Sequence, residues 1–216
     1  MSDRTVRFGA LVGLSVCLLL LAGLARAQDL TKPLLLVATP QLKGPYGQTV
    51  LIALPAGNAR HVGFIINRVS QNTLASLFPE HPPSKQVRDP VYFGGPMGLG
   101  AIFAFVRSQS GRVQGAEKLF EDLFVAVNAA AVDRIIEQTP NDARYISGYV
   151  AWAPDELQAE LDRGFWILEE PHAELLFRKE VGELWHDFIK RARPEQLNPR
   201  QINPHHRGGG FTRTSW

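Results

Sequence analysis

Three stretches of the 216-residue chain carry residue types that could hold a ligand. In Val91-Tyr92-Phe93-Gly94-Gly95-Pro96-Met97-Gly98-Leu99-Gly100 an apolar run enters a glycine-rich loop. Without a Cβ, Gly94 and Gly95 let backbone N–H groups approach a phosphate or carboxylate. The plain alternative is a tight turn between two strands. The loop lacks the following Lys-Ser/Thr of a phosphate-binding loop, and its spacing does not match a dinucleotide fingerprint. Ile65-Ile66-Asn67-Arg68 ends a buried run in two polar residues. Asn67 could shape a turn through its own backbone, and Arg68 could fork onto a carboxylate. Ser147-Gly148-Tyr149-Val150-Ala151-Trp152 places two aromatic rings with polar tips, Tyr149 and Trp152, on a strand where core packing is the competing use.

Catalytic constellations are scarce. Ser147 is flanked at 145 and 149 by tyrosines, not by the glycines of a nucleophile elbow. His61, His81, His172 and His186 show no ligand spacing, and His-Glu-x-x-His does not occur. Adjacent His205-His206 could take up a metal adventitiously. Asp155-Glu156 and Glu169-Glu170 read as solvated faces. The sequence therefore names no catalytic residue, no metal ligand and no cofactor.

The elements that must position these motifs are mostly strands. Apolar runs rich in β-branched and aromatic residues cover 34–39, 49–54, 62–66, 91–93, 101–107, 124–127 and 144–151, punctuated by Gly, Pro and Asn. Most are continuous, not alternating, so the sheet should be covered on both faces. Helices are expected in the second half. Asn128 caps one running to about Glu137, with Val132, Ile135 and Ile136 on a single face. A second starts at Pro154, carries Leu157 and Leu161, and stops at Gly164. A third spans about 181–192 and presents Leu184, Trp185, Phe188 and Ile189 as a stripe.

The ends differ from this middle. Arg4 and Arg7, an apolar run from Ala10 to Leu24, and Ala25-Arg26-Ala27 follow the grammar of a secretory leader cleaved before Gln28. As a retained anchor the run is short of the ~20 apolar residues of a span and is diluted by glycines. The single cysteine, Cys17, lies inside it, so a mature chain is cysteine-free and can form no disulfide. Cleavage of 27 residues leaves 189, one domain's worth, with 20 basic and 20 acidic side chains. Residues 194–216, rich in Pro and Gly, read as a disordered tail. Lys190 to Trp216 carries a net +5 and Gln28 to Ile189 a net −5.

In order and spacing, four stretches resemble the AlgH family of small bacterial proteins: 35–42, Val62 to Arg68, Pro90 to Pro96, and Gly148 to Trp152 followed by Leu157, Glu160, Leu161 and Phe165-Trp166. The resemblance covers nearly all of 33–191. It implies an α+β fold, a bent, bifurcated β-sheet forming a partial barrel with helices packed outside. It also implies that Asn67, Arg68, Gly94, Gly95 and Tyr149 cluster. Family members usually carry Asp-Pro where this chain has Gly44-Pro45-Tyr46, Trp-Gly where it has Trp152-Ala153, and no export signal.

These readings lead to a periplasmic or secreted, non-enzymatic domain. It should bind a small ligand, anions being the first candidates, or a protein partner near Asn67, Arg68, Gly94, Gly95, Tyr149 and Trp152. A hydrolase or isomerase using His61 is the alternative. A nucleic-acid-binding regulator retained in the cytoplasm is a third reading, opposed by the zero net charge of the mature chain. A membrane contact would arise only through an uncleaved leader.

Overall fold

The computed structural model describes residues 29–192 and residue 197. The expected leader over 1–27 and the expected tail over 194–216, Leu197 apart, lie outside the described residues. Nine strands form the sheet: β1 (Leu34–Ala38), β2 (Val50–Pro55), β3 (His61–Ile65), β4 (Tyr92–Phe93), β5 (Met97–Arg107), β6 (Glu117–Phe120), β7 (Leu123–Ala126), β8 (Ala143–Trp152) and β9 (Trp166–Glu169). Among the described residues five α-helices accompany them: α1 (Leu74–Leu77), α2 (Ala129–Gln138), α3 (Glu156–Asp162), α4 (Glu174–Phe177) and α5 (Leu184–Arg191). The strand order is β6-β7-β5-β8-β3-β2-β1-β9, and β4 lies off this path, parallel to β8.

β8 is the strand that divides the sheet. One edge pairs with β5. The other edge is shared, with β4 beside Ile146 and Ser147 and β3 beside Val150 to Trp152. Two wings diverge from it, β5-β7-β6 and β3-β2-β1-β9, and curl into a partial barrel. The expectation of an α+β fold with a bent, bifurcated sheet and helices outside is met.

Register explains why the runs are continuously apolar. Phe103 lies opposite Ile146 and Phe105 opposite Arg144 on the inner face, while Ala104 faces Tyr145 and Val106 faces Ala143 on the outer one. The inner face meets the other wing, where Phe64 of β3 packs edge-on against Phe103 and Phe105 at 4.9 and 5.1 Å. The outer face is covered by Val132, Ile135 and Ile136 of α2. Asn128 caps α2 as expected, its side chain accepting from the Ala131 N–H at 3.0 Å. Helix α3 starts two residues later than the sequence suggests, because Asp155 takes a left-handed conformation. Gly164 ends that segment with φ +70°. In α5, Leu184 and Trp185 are buried, and the Trp185 indole donates to the Ala38 carbonyl at 2.7 Å. No helix among the described residues is long and apolar enough to cross a membrane.

Two strands escape the sequence reading. β6, Glu-Lys-Leu-Phe at the sheet's edge, is two charged residues followed by two apolar ones, so it shows neither alternation nor a β-branched run. β9 is buried beside β1, but it follows directly on a helix stop and is only four residues long.

Candidate functional site

The glycine loop is not a hairpin turn. β4 and β5 both pair with Ile146 and Ser147 of β8, so they occupy its opposite edges, and the chain crosses over β8 between Phe93 and Met97. This crossing puts backbone directly on backbone. A Cβ built at Gly94 would stand 2.3 Å from the Gly148 carbonyl oxygen, one at Gly95 2.3 Å from the Tyr149 carbonyl, and one at Gly148 2.3 Å from the Gly95 carbonyl oxygen. Any side chain at these three positions would force the strands apart. Gly94 N–H donates to the Ser147 carbonyl at 2.8 Å, and its own carbonyl accepts from Ile65 N–H at 2.9 Å.

The Asn-Arg motif flanks the same crossing. Arg68 carbonyl accepts from Phe93 N–H at 2.9 Å. The Asn67 side chain then grips the start of β2, accepting from Val50 N–H at 2.9 Å and donating to the Gln48 carbonyl at 3.0 Å. It replaces ladder bonds where β3 has ended, and Gln48 itself is left-handed at φ +59°. Arg68 Nη2 donates to the Gly47 carbonyl at 3.2 Å, and no carboxylate pairs with it among the described residues. Partial burial lowers the guanidinium pKa from its ordinary value.

Tyr149 completes the junction. Its ring lies edge-on to Phe103 at 6.0 Å and covers Gly98, where a Cβ would approach the ring to 2.8 Å. The structure thus brings Asn67, Arg68, Gly94, Gly95, Gly148 and Tyr149 together at the fork of the sheet, through main-chain bonds and close backbone contact. Trp152 serves elsewhere. Its buried ring stacks over Gly63 and stands edge-on to Trp166, and both indoles donate to one oxygen of Glu160, at 2.9 and 2.7 Å.

Beside the junction a knuckle projects. Six residues of β5, Met97 to Ile102, bulge against Ser147 to Tyr149 of β8, held by the Ser147 hydroxyl donating to the Leu99 carbonyl at 2.6 Å. The bulge leaves Met97 and Leu99 about half exposed, at 46% and 56%. Composition could not single these two out, since any strand residue of that kind reads as core.

A cavity of about 270 Å³ borders the junction at Gly47 and Gln48, and two larger ones lie away from it. One of about 410 Å³ opens between the wings over Phe64 and Phe103, with Glu117 and Lys118 at its rim. Another of about 410 Å³ abuts His61, Asn58 and Asp155 at the β2–β3 turn. His61 is buried with its Nε2 on the Leu30 carbonyl at 2.9 Å. His81 Nδ1 meets the Ser84 hydroxyl at 2.7 Å, but Ser84 is fully buried in a 3₁₀ turn and cannot act as a nucleophile there. Among the described residues no three His, Cys, Asp or Glu side chains are grouped to hold a metal. Sequence reasoning also passed over Arg144. It is buried, it lies 3.9 Å from the centre of the Tyr92 ring, and its Nε and Nη1 have no partner. Burial lowers its pKa and raises those of Tyr145 and Tyr92.

The AlgH-like family model matches residues 35–196, which take in every strand and helix of this architecture save the first residue of β1. The chain belongs to the AlgH-like family. A UPF0301 protein of Rickettsia typhi is 31% identical over 168 residues, covering 75% of this chain and 88% of the relative. A UPF0301 protein of Chlorobium phaeobacteroides is 24% identical over 160 residues, covering 73% and 83%. Two solved structures share the fold. The crystal structure of protein DIP2367 from Corynebacterium diphtheriae aligns with a TM-score of 0.65 at 20% identity, over 79% of this chain and 91% of that one. The solution structure of the AlgH protein from Pseudomonas aeruginosa aligns at 0.62 and 19%, over 87% and 98%. In this AlgH-like chain three of the motifs that carry the resemblance, Asn67-Arg68, Gly94-Gly95 and Gly148-Tyr149, meet at the strand crossing, while residues 35–42 and the Trp152–Glu160–Trp166 group lie apart from it.

Proposed function

We propose that this AlgH-like protein is an exported, non-catalytic binding domain whose recognition surface is the strand crossing and the knuckle above it, and that its partner is a protein. One observation carries the reading. Asn67 and Gly94 turn their hydrogen-bonding groups onto the protein's own backbone, while Met97 and Leu99, about half exposed, stand beside Tyr149 and Gly148. Apolar side chains held out by a rigid, bonded base suit a protein partner better than a small polar ligand. Export rests on the leader pattern of residues 1–27, and intact mass of periplasmic protein beginning at Gln28 would support it.

The test places a photo-crosslinker at Leu99 and, separately, at the exposed Gln158 on α3. A discrete adduct from position 99 and not from 158, returned when the crosslinker is moved onto the partner, is the expected result. Adducts of equal yield from both positions would end the reading. A second reading, a small anion at Arg68, is favoured by the guanidinium's lack of a carboxylate. An anion at 100 times its Kd would add about 2.7 kcal/mol. That raises Tm by roughly 5 to 11 °C, and Arg68→Ala would abolish the rise.

A further inference from the structure

The fold also leaves an apolar hollow of about 270 Å³ between the bulged start of β5 and α2, walled by Phe78, Ala101, Ile102, Val127, Val132 and Asp133. Phe78 and Val127 are 39% and 49% exposed, and the adjacent Leu77 is exposed too. Large apolar side chains gathered in a concavity mark a binding surface. Asp133 forms no ion pair among the described residues, so the wall carries one uncompensated negative charge.

The geometry points to an occupant within the chain itself: the C-terminal segment 198–216, with Phe211 in the hollow and Arg213 on Asp133. The segment matches the wall in three respects. Residues 198–216 carry Arg200, Arg207 and Arg213 and no acidic residue, against a net −5 over Gln28 to Ile189, so attraction to the domain is long-ranged, and Asp133 places a negative charge on this wall. Phe211 follows Gly208-Gly209-Gly210, which add no side chains to obstruct a close approach. In an extended chain Arg213, two residues on, points to the same side as Phe211.

Reach is not limiting. The Leu197 carbonyl accepts from Gln41 Nε2, which fixes where the segment leaves. The following 19 residues extend up to about 60 Å at ~3.3 Å per residue, against a radius of gyration of about 15 Å for a domain of this size. A tether of that kind supplies an effective concentration of order mM, so a single aromatic anchor suffices. The contact uses none of Asn67, Arg68, Gly94, Gly95 or Tyr149, and it stands independently of the partner reading.

The absence of cysteine after Cys17 makes a direct test clean. In the full chain carrying Cys17→Ser, the pair Ala101→Cys with Thr212→Cys is compared with Gln158→Cys with Thr212→Cys under mild oxidation. The first pair should close an intramolecular disulfide about tenfold faster than the second, reflecting local concentration at the hollow. Adding Phe211→Ala should bring the first pair down to the rate of the second, and Asp133→Asn or raised salt should slow it. Equal rates for the two pairs, indifference to Phe211→Ala, or disulfides found only between molecules would each overturn the assignment.

Discussion

Glu160 gives the sharpest test of how this structure is held. A single carboxylate oxygen accepts from the indoles of Trp152 and Trp166, at 2.9 and 2.7 Å. Both rings are more than nine-tenths buried. Glu160→Ala leaves two interior N–H donors without partners, each costing about 1–3 kcal/mol. The sum is about 2–6 kcal/mol, and at its midpoint a Tm lower by roughly 8–16 °C. Glu160→Gln keeps an oxygen with two lone pairs in place and loses only the charge assistance, about 1–3 kcal/mol in total. The assay is urea denaturation followed by circular dichroism, so that the mutated tryptophan site does not report on itself. A cycle with Trp166→Phe separates the two bonds. Removing that indole should cost about 1–3 kcal/mol less in the Glu160→Ala background than in the wild type. If Ala costs no more than Gln, or if the cycle is additive, Glu160 is not the acceptor that ties α3 to β8 and β9.

Ala59, left-handed at φ +56° next to Asn58 at +51°, bears about 1–2 kcal/mol that glycine would not. Allowing for the greater freedom of glycine when unfolded, Ala59→Gly should raise stability by about 0.5–1 kcal/mol in chemical denaturation. Asn67→Ala should cost about 1–3 kcal/mol, because the buried Val50 N–H loses its acceptor; Arg68→Ala, which frees only a carbonyl at the surface, should move Tm little. Trp185→Ala should cost about 3–5 kcal/mol, whereas deletion of 198–216 should leave the domain folded and lower Tm by no more than roughly 2–4 °C, the share its docking adds. Between pH 4 and 8, the Glu121–His172 contact should show a window. The Ala173 N–H, then His172, lower the Glu121 pKa, so its contribution is present above the ordinary carboxylate range and fades as pH falls through the lowered value. Glu121 raises the His172 pKa, so that contribution is full below the ordinary imidazole range and fades as pH rises through the raised value. Glu121→Gln should move the NMR titration midpoint of His172 down toward the ordinary imidazole value and remove the acid-side inflection that reports Glu121.

How far the sequence reached depended on whether the information was local. Helix α2 was legible because an Asn cap and a 3.6-residue stripe sit within eleven positions. The core strands were legible because burial on both faces makes a run continuous, as at Leu35 to Ala38. What escaped was decided by partners outside the residue's own run, near or far in the chain. β6 is a strand only because β7 offers it an edge. Arg144 reads as a surface residue until Tyr92, 52 positions earlier, is placed beneath it. Trp152 looked like a polar-tipped ligand contact because nothing near it in sequence announces that Glu160 takes both indoles.

The glycines show why motif chemistry misleads in a specific direction. A Gly-Gly after a strand suggests a cradle for an anion, since absent side chains expose N–H groups. The same absence is required when two strands must cross at van der Waals contact, and here Gly94 and Gly148 meet at distances that admit no Cβ. Such a crossing fixes where the sheet divides, so Asn67, Gly94 and Gly148 are constrained by architecture whatever binds beside them. Specificity then belongs to residues the crossing merely presents: Met97, Leu99 and Arg68 can change without undoing the fork. Substitution at the glycines should therefore abolish folding and binding together, while Leu99→Asp should remove binding from a protein that melts as before. Only the second pattern reports on function.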